Sequence, residues 1–255
     1  LSDSGLTYTC ATVSGNGKYM FIGTNYEKLY VSENYGVSLS PHIQNPIAVG
    51  GPDNDHKHYW RYIITNNTGK YTMAFTQDGD VNTGAGQLWV ADSSSGGYNN
   101  SATWSAKQAV GTIPNHMFMT GDGAFLFAQL NNNVDNHNHI YRIPANNFAT
   151  YSTWNTTKFH DVGGTGADYV MSGSTKSGLE VLYFVDRANV ATIKTSFDCR
   201  NQVQSPSISS DPDGTVISAQ YKTIATSGHG GYTYISTGDD LGVKKFNDGT
   251  TIQVV

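Results

Sequence analysis

Charged side chains are scarce in this chain. Asp, Glu, Lys and Arg make up 14% of its 255 residues, against about 25% in an average soluble domain. Glutamate is the rarest of them, because only Glu27, Glu33 and Glu180 occur among 20 acidic residues. Helical bundles and coiled coils need many Glu, Lys, Leu and Ala residues, so the composition excludes them. The 16 tyrosines in turn exclude a disordered chain.

The sequence also lacks a basic cluster and a long apolar run. The net charge is −5, and the densest basic cluster is the pair Lys244-Lys245. Phosphate binding needs a basic stripe, so we expect no nucleic-acid partner. No apolar segment approaches the roughly 18 residues of a membrane span, so we expect no membrane insertion. The few lysines and the many Asn, Ser, Thr and Tyr residues favour an extracellular or virion-surface location.

Cysteine is almost absent, since the chain has only Cys10 and Cys199. Two cysteines cannot define a disulfide scaffold or a zinc site. Cys10 lies in an alternating, strand-like run between Tyr8 and Thr12, which favours a buried free thiol. A Cys10–Cys199 disulfide is the alternative.

What the sequence does contain is a degenerate repeat, in which a tight turn precedes an alternating strand. The copies are Ser14–Phe21, Asn67–Phe75, Thr120–Phe127, Gly164–Met171 and Asp211–Ile217. Their Asn-Gly and Asp-Gly pairs supply the positive φ that a two-residue hairpin requires.

Further strands complete each repeat. An aliphatic-aromatic strand follows every turn, with aromatic residues at positions 30, 89, 141, 183 and 234 and a mean spacing of 51 residues. Another strand precedes every turn, including Phe159–Val162 in the fourth unit, and a less regular strand ends the unit. Four-stranded units at this period are typical of a β-propeller.

We therefore predict an all-β fold, a single β-propeller domain over residues 1–255 with five four-stranded blades. The predicted blades are approximately 6–45, 56–107, 113–158, 159–200 and 204–255. The apolar tail 251–255 is expected to pair into the first or last blade and close the ring. A two-sheet β-sandwich with similar hairpins is the alternative.

The end of the first unit reads Tyr30-Val31-Ser32-Glu33-Asn34-Tyr35-Gly36-Val37-Ser38-Leu39. This segment resembles the Asp-box, or BNR, repeat, whose pattern is Ser-x-Asp-x-Gly-x-Thr-Trp. Asn34 stands at the Asp position and Ser38 at the Thr position. The unit is similar to the blades of bacteriophage tail-fibre and sialidase-like propellers. That resemblance implies that the Ser and Asx side chains brace the hairpin and indicate fold rather than activity.

Two His-x-His pairs are the candidate metal ligands. Strand alternation would place both imidazoles of each pair on one face, a workable geometry for a divalent metal with a nearby carboxylate. The pairs are His56 with His58 and His137 with His139. Solvated loop histidines are the alternative interpretation, and no further motif implies a cofactor.

The candidate ligand-binding residues are mostly at the starts of the innermost strands, which line one mouth of a propeller channel. Polar groups interleaved with aromatic rings suit a sugar, because hydroxyls need planar partners and the ring face stacks on aromatics. For each tryptophan the alternative role is core packing. The candidates are His56, His58, Trp60, Arg61, Trp104, Trp154, His116, His160, His229 and Tyr232.

These features favour a glycan- or receptor-binding module, either a phage tail-fibre head or a secreted lectin. Its partner would be a cell-surface or extracellular glycan, and a homo-oligomer is compatible with that role. A polysaccharide-active lyase or glycosidase is one alternative, although scarce glutamate disfavours the glycosidase. A structural virion or adhesion domain is another.

Overall fold

The computed structural model describes the backbone of 19 strands and the turns between many of them. The described residues are 7–25, 29–41, 59–77, 86–93, 98, 104–110, 114, 116–132, 137–148, 152, 154, 158–160, 169–176, 179–186, 193–196, 221–226, 232–237, 243–247 and 251–254. In this part of the chain no helix is long and apolar enough to cross a membrane.

The chain divides into two compact units. The first comprises Leu1–Ile113 and Ala145–Thr153, and the second comprises Pro114–Pro144 and Trp154–Val255. Every strand pairing in both units is antiparallel, and each sheet is built from strands that follow one another along the chain. The fold is therefore all-β, as the sequence predicts.

The first unit contains two four-stranded sheets. The first has the order β1-β2-β3-β4, formed by Tyr8–Val13, Met20–Thr24, Tyr30–Ser32 and Ser40–Pro41. The second has the order β5-β6-β7-β8, formed by Tyr59–Thr65, Tyr71–Gln77, Gly86–Asp92 and Trp104–Val110. A short 3-10 helix at Ala145–Asn147 also belongs to this unit.

The second unit contains three sheets. The third sheet has the order β9-β10-β11-β12, formed by Met117–Met119, Phe125–Asn132, His137–Pro144 and Lys158–His160. The fourth has the order β13-β14-β15, formed by Tyr169–Lys176, Leu179–Asp186 and Ile193–Ser196. The fifth has the order β16-β17-β18-β19, formed by Tyr221–Thr226, Tyr232–Thr237, Val243–Asn247 and Thr251–Val254.

Within each unit, neighbouring sheets meet through their first strands. In the first unit β1 packs against β5. In the second unit β13 packs against both β9 and β16, where Gly173 lies against the Phe118 ring. Because the first strand is the common meeting element, the sheets are arranged as the blades of a β-propeller are.

Two details of the predicted repeat are corrected by the pairing. Phe159 was expected in the first strand of the fourth unit, but Lys158–His160 pairs with β11 as the last strand of the third sheet. The aromatic strand around Tyr183 was expected third in its unit, but it is second in its described sheet. The turn and strand expected before Tyr234, at Asp211–Ile217, lie outside the described residues. The apolar tail does pair into the last sheet, as β19.

In three sheets a turn lies where the repeat predicts it, but it is not the expected two-residue hairpin, because only the glycine of each turn has positive φ. The turn residues of the fourth and fifth copies, 164–168 and 211–217, lie outside the described residues. In each turn the last residue's amide donates to the first residue's side-chain oxygen, at 3.0, 3.1 and 3.0 Å. The amide of the fourth-position glycine donates to the carbonyl of the first residue, at 2.8, 3.0 and 2.8 Å. That glycine has φ of 75°, 70° and 75°. The turns are Ser14–Tyr19, Asn66–Tyr71 and Thr120–Phe125.

Tyr98 joins the two sheets of the first unit. Its buried ring lies 5.4 Å from the Tyr19 ring and 4.8 Å from the Phe21 ring, both of the first sheet. Its hydroxyl lies 2.7 Å from Thr72 Oγ1 of the second sheet. Its amide donates to a Glu33 carboxylate oxygen at 2.5 Å. Tyr98 therefore contacts both sheets. Burial of its phenol raises the pKa of the hydroxyl group.

A contiguous apolar core fills the space between these two sheets. Its buried members come from both sheets and include Trp60 and Trp89 of the second one. Cys10 and Tyr19 pack against it from the partly buried side. The buried members are Phe21, Leu29, Val31, Trp60, Ile63, Ala74, Trp89, Ala91 and Tyr98.

Two glycine substitutions test this packing. Gly17→Ala and Gly69→Ala both force a Cβ into positive φ, which costs about 1 kcal/mol. At Gly17 the new Cβ meets only Tyr35 Cδ1, at 3.8 Å, whereas at Gly69 it overlaps the Tyr19 ring. We expect Gly69→Ala to lower the free energy of unfolding by about 2–4 kcal/mol and Gly17→Ala by about 1 kcal/mol. Urea denaturation measures both, and equal losses would contradict the packing of Tyr19 on the second sheet.

Candidate ligand-binding site

Arg61 occupies a β-bulge near the start of β5. The neighbouring pairs are Trp60 with Thr76 and Tyr62 with Phe75, so Arg61 has no residue opposite it in β6. A bulge bends the strand and re-aims the extra side chain, and bulges recur beside binding sites. The sequence analysis selected Arg61 as a candidate, and the structure places it at the predicted position on a first strand.

The same irregularity recurs in two other first strands. In β1 the extra residue is Thr9, and in β16 it is Lys222. Each extra residue lies four positions before the last paired residue of its strand, which is Val13, Thr65 or Thr226. In β13 the pairing is continuous. Because each strand runs from the bulge towards its turn, the bulge and the turn mark opposite ends of the hairpin.

The side chain of Arg61 is exposed and held beside an aromatic ring. Its guanidinium carbon lies 4.8 Å from the Tyr59 ring centroid, and Nη1 donates to Tyr59 Oη at 3.2 Å. A guanidinium carries five N–H donors, and this bond uses one of them. The pair thus presents a fixed cation next to an aromatic surface, which suits sugars and anions.

Beneath this pair, Trp60 fixes the first sheet to the second. Its backbone carbonyl accepts a hydrogen bond from Thr9 Oγ1 and a weaker one, at 3.6 Å, from Cys10 Sγ. Its side chain is 2% exposed and lies 6.2 Å from the Trp89 ring. Trp60 is therefore a core residue, which corrects its selection as a ligand contact.

Trp154 is corrected in the same way. The sequence analysis selected this tryptophan as a candidate ligand-binding residue, but its side chain is only 1% exposed. A buried indole cannot stack on a sugar, so core packing is the role that the structure supports. Trp104 begins β8, opposite Ala91, and the structure describes its backbone alone.

The described histidine candidates lie at different positions in their sheets. His116 is partly buried just before β9, and its carbonyl accepts a hydrogen bond from Gln129 N at 3.0 Å. It therefore lies at the start of a first strand, as predicted. His160 was expected at such a start, but it ends β12, the last strand of its sheet. Tyr232 begins β17, a second strand, rather than a first strand.

The predicted metal ligands are only partly described. His137 and His139 do share β11, two residues apart, and His139 is fully buried with its ring 6.1 Å from that of Tyr141. Across the described residues no group of three metal-ligating side chains occurs. His56, His58 and His229 lie outside the described residues, so both His-x-His metal sites stay predictions.

The sequence analysis missed Tyr59 beside Arg61, and it missed the bulged residues Thr9 and Lys222 of two other first strands. The sequence nevertheless contained a signal for the bulges, because each bulged residue is polar and directly follows an aromatic residue. The dipeptides are Tyr8-Thr9, Trp60-Arg61 and Tyr221-Lys222.

Comparisons with known proteins identify the fold. No family model and no curated protein sequence matches the chain. Solved structures match it in 739 chains, so the architecture is a common one. One of them, a β-propeller of the mitotic checkpoint complex, matches with a TM-score of 0.57 and 11% identity. The match covers 99% of this chain, and this chain spans 65% of the length of that one. At this identity the likeness shows a β-propeller-like fold and nothing about function.

The environment of Cys10 yields a chemical prediction. Cys10 is a free thiol, and desolvation by burial raises its pKa to about 11. At pH 8 roughly one thiol in a thousand is then ionised, so alkylation should be slow. We expect iodoacetamide to modify Cys10 at least about 100-fold more slowly in the folded protein than in urea, with a rate that rises between pH 8 and 11.

Mass spectrometry of the Cys10 peptide measures this rate independently of Cys199. Equal rates in the folded and unfolded protein would contradict the burial. Recovery of a peptide linked to Cys199 would restore the disulfide alternative.

Proposed function

We propose that this chain is a five-bladed β-propeller that binds glycans outside the cell or on a virion surface. Five antiparallel sheets among the described residues support five blades. The chain's low charge and its abundance of polar, uncharged residues support an extracellular setting. Binding of this kind is weak at each site and is strengthened by several sites or by oligomerisation.

The turn between β3 and β4 supports the resemblance to Asp-box propellers. Ser32 Oγ donates to Asn34 Oδ1 at 2.9 Å and accepts from the Gly36 amide at 2.9 Å. Asn34 Oδ1 also accepts from the Ser38 amide at 3.0 Å, and Asn34 Nδ2 donates to Ser38 Oγ at 2.8 Å. Asn34 and Ser38 therefore brace this hairpin in the manner that the resemblance implies for Asp and Thr.

The observation that carries the glycan proposal is the pairing of Arg61 with Tyr59. Sugar hydroxyls need planar, fixed donors, while the apolar face of a sugar ring packs against an aromatic ring. An exposed guanidinium held against a tyrosine ring offers both at one place. The bulge places Arg61 near the start of a first strand, where the sequence analysis expects ligand-binding residues.

A glycan array tests the proposal with matched variants. We expect the wild-type chain to bind a subset of glycans and Arg61→Ala to weaken that binding about tenfold. Tyr59→Phe keeps the ring and should weaken it less. Lys70→Ala is the control, because Lys70 lies over the Tyr71 ring at 4.8 Å on the opposite end of the same hairpin.

Product analysis of the bound polysaccharide separates binding from catalysis. The proposal predicts that chain length is unchanged and that EDTA does not abolish binding. Absorbance at 235 nm that rises on a uronate polymer would indicate a lyase instead. No binding and no turnover would favour a structural domain, and equal losses for Arg61→Ala and Lys70→Ala would reject the Arg61 site.

A further inference from the structure

We infer that the bulged position of the first strands is an anion-binding position, held by Arg61 in the second sheet and by Lys222 in the fifth. This inference rests on the proposed glycan-binding function and deepens it. The ligand would be a glycan that carries carboxylate or sulfate groups. Each of the two positions is a separate site, at which the cation would contact one such group.

The repetition of the bulge is the first argument. Three sheets with different sequences place one extra residue at the same distance from the end of the first strand. A first hairpin does not require it, because β13 forms a first strand with regular pairing. A bulge that interrupts the ladder at a fixed point is a device for presenting one side chain.

The identity of the bulged residues is the second argument. All three are polar although aromatic residues precede them: Thr9, Arg61 and Lys222. Two of the three are cations in a chain with only 15 Lys and Arg residues and a net charge of −5. A cation at a repeated backbone position favours an anionic ligand in a chain that is acidic as a whole.

In the first sheet, the bulged position has a structural role instead. Thr9 Oγ1 donates to the carbonyl of Trp60, so this bulge joins two neighbouring sheets. At Arg61, by contrast, the side chain is exposed and its observed bond goes to Tyr59 two residues away. The guanidinium is thereby oriented without an acidic partner in that contact. Carboxylates and sulfates are the groups that a guanidinium binds through paired N–H donors.

Pairs of polymers with one backbone and different charge test the inference. The carboxylate pair is polygalacturonate and its methyl ester, and the sulfate pair is dextran sulfate and dextran. Wild-type chain should bind at least one charged member about tenfold more tightly than its uncharged counterpart, with the difference reduced by salt. Arg61→Ala and Lys222→Ala should each reduce that difference, and Arg61→Lys should retain more of it than Arg61→Ala.

Matched lysines control for a general loss of positive charge. Lys70→Ala changes the turn end of the second sheet, and Lys245→Ala changes β18 of the fifth sheet, so neither should affect discrimination. Wild-type binding that is equal for charged and uncharged polymers would overturn the inference and leave the glycan proposal standing. Equal effects of Lys222→Ala and Lys245→Ala would overturn the inference for the fifth sheet. Failure to bind any polymer or array glycan would overturn the proposed function itself.

Discussion

The hydrogen bond that closes each first hairpin sets the register on which the rest of the structure depends. In three sheets a Ser, Asn or Thr side chain accepts the amide where the second strand begins. Because a slip of one residue would exchange the two faces of a strand, this bond decides which side chains enter the core. In two of these sheets, the first and the second, one extra residue in the first strand shifts the register again, four positions before the last paired residue of that strand.

The braced turn and the bulge both set the register, but they have different consequences for the side chains. The braced turn brings Tyr19 against Gly69 and allows Tyr98 to contact both sheets of the first unit. The bulge instead leaves one residue of the first strand with no residue opposite it in the second strand, so that residue can make other contacts. In β1 that purpose is a bond to the Trp60 carbonyl, and in β5 it is an exposed cation beside Tyr59. Stability and the proposed binding thus depend on different ends of the same hairpins.

The sequence predicted the repeat well where the turn residues are hydrogen-bonded side chains, as at Ser14 and Thr120. It failed at the boundary between the third and fourth sheets, because a Gly-rich string fits a hairpin and a connection between sheets equally well. Only the pairing of Lys158–His160 with β11 distinguishes them. Aromatic residues were also ambiguous, since Trp154 follows polar neighbours yet is buried through tertiary contacts. Arg61 was identified from its position, whereas the bulge that presents it required the register.

A residue-resolved titration tests the central claim most directly. Backbone amide chemical shifts of the whole chain, followed by NMR as a charged oligosaccharide is added, report where the ligand lies. The account predicts that the largest changes occur around Tyr59, Arg61 and Lys222, at the starts of the first strands. Changes concentrated at the opposite ends of the hairpins, around Asn16, Lys18 and Lys70, would contradict it.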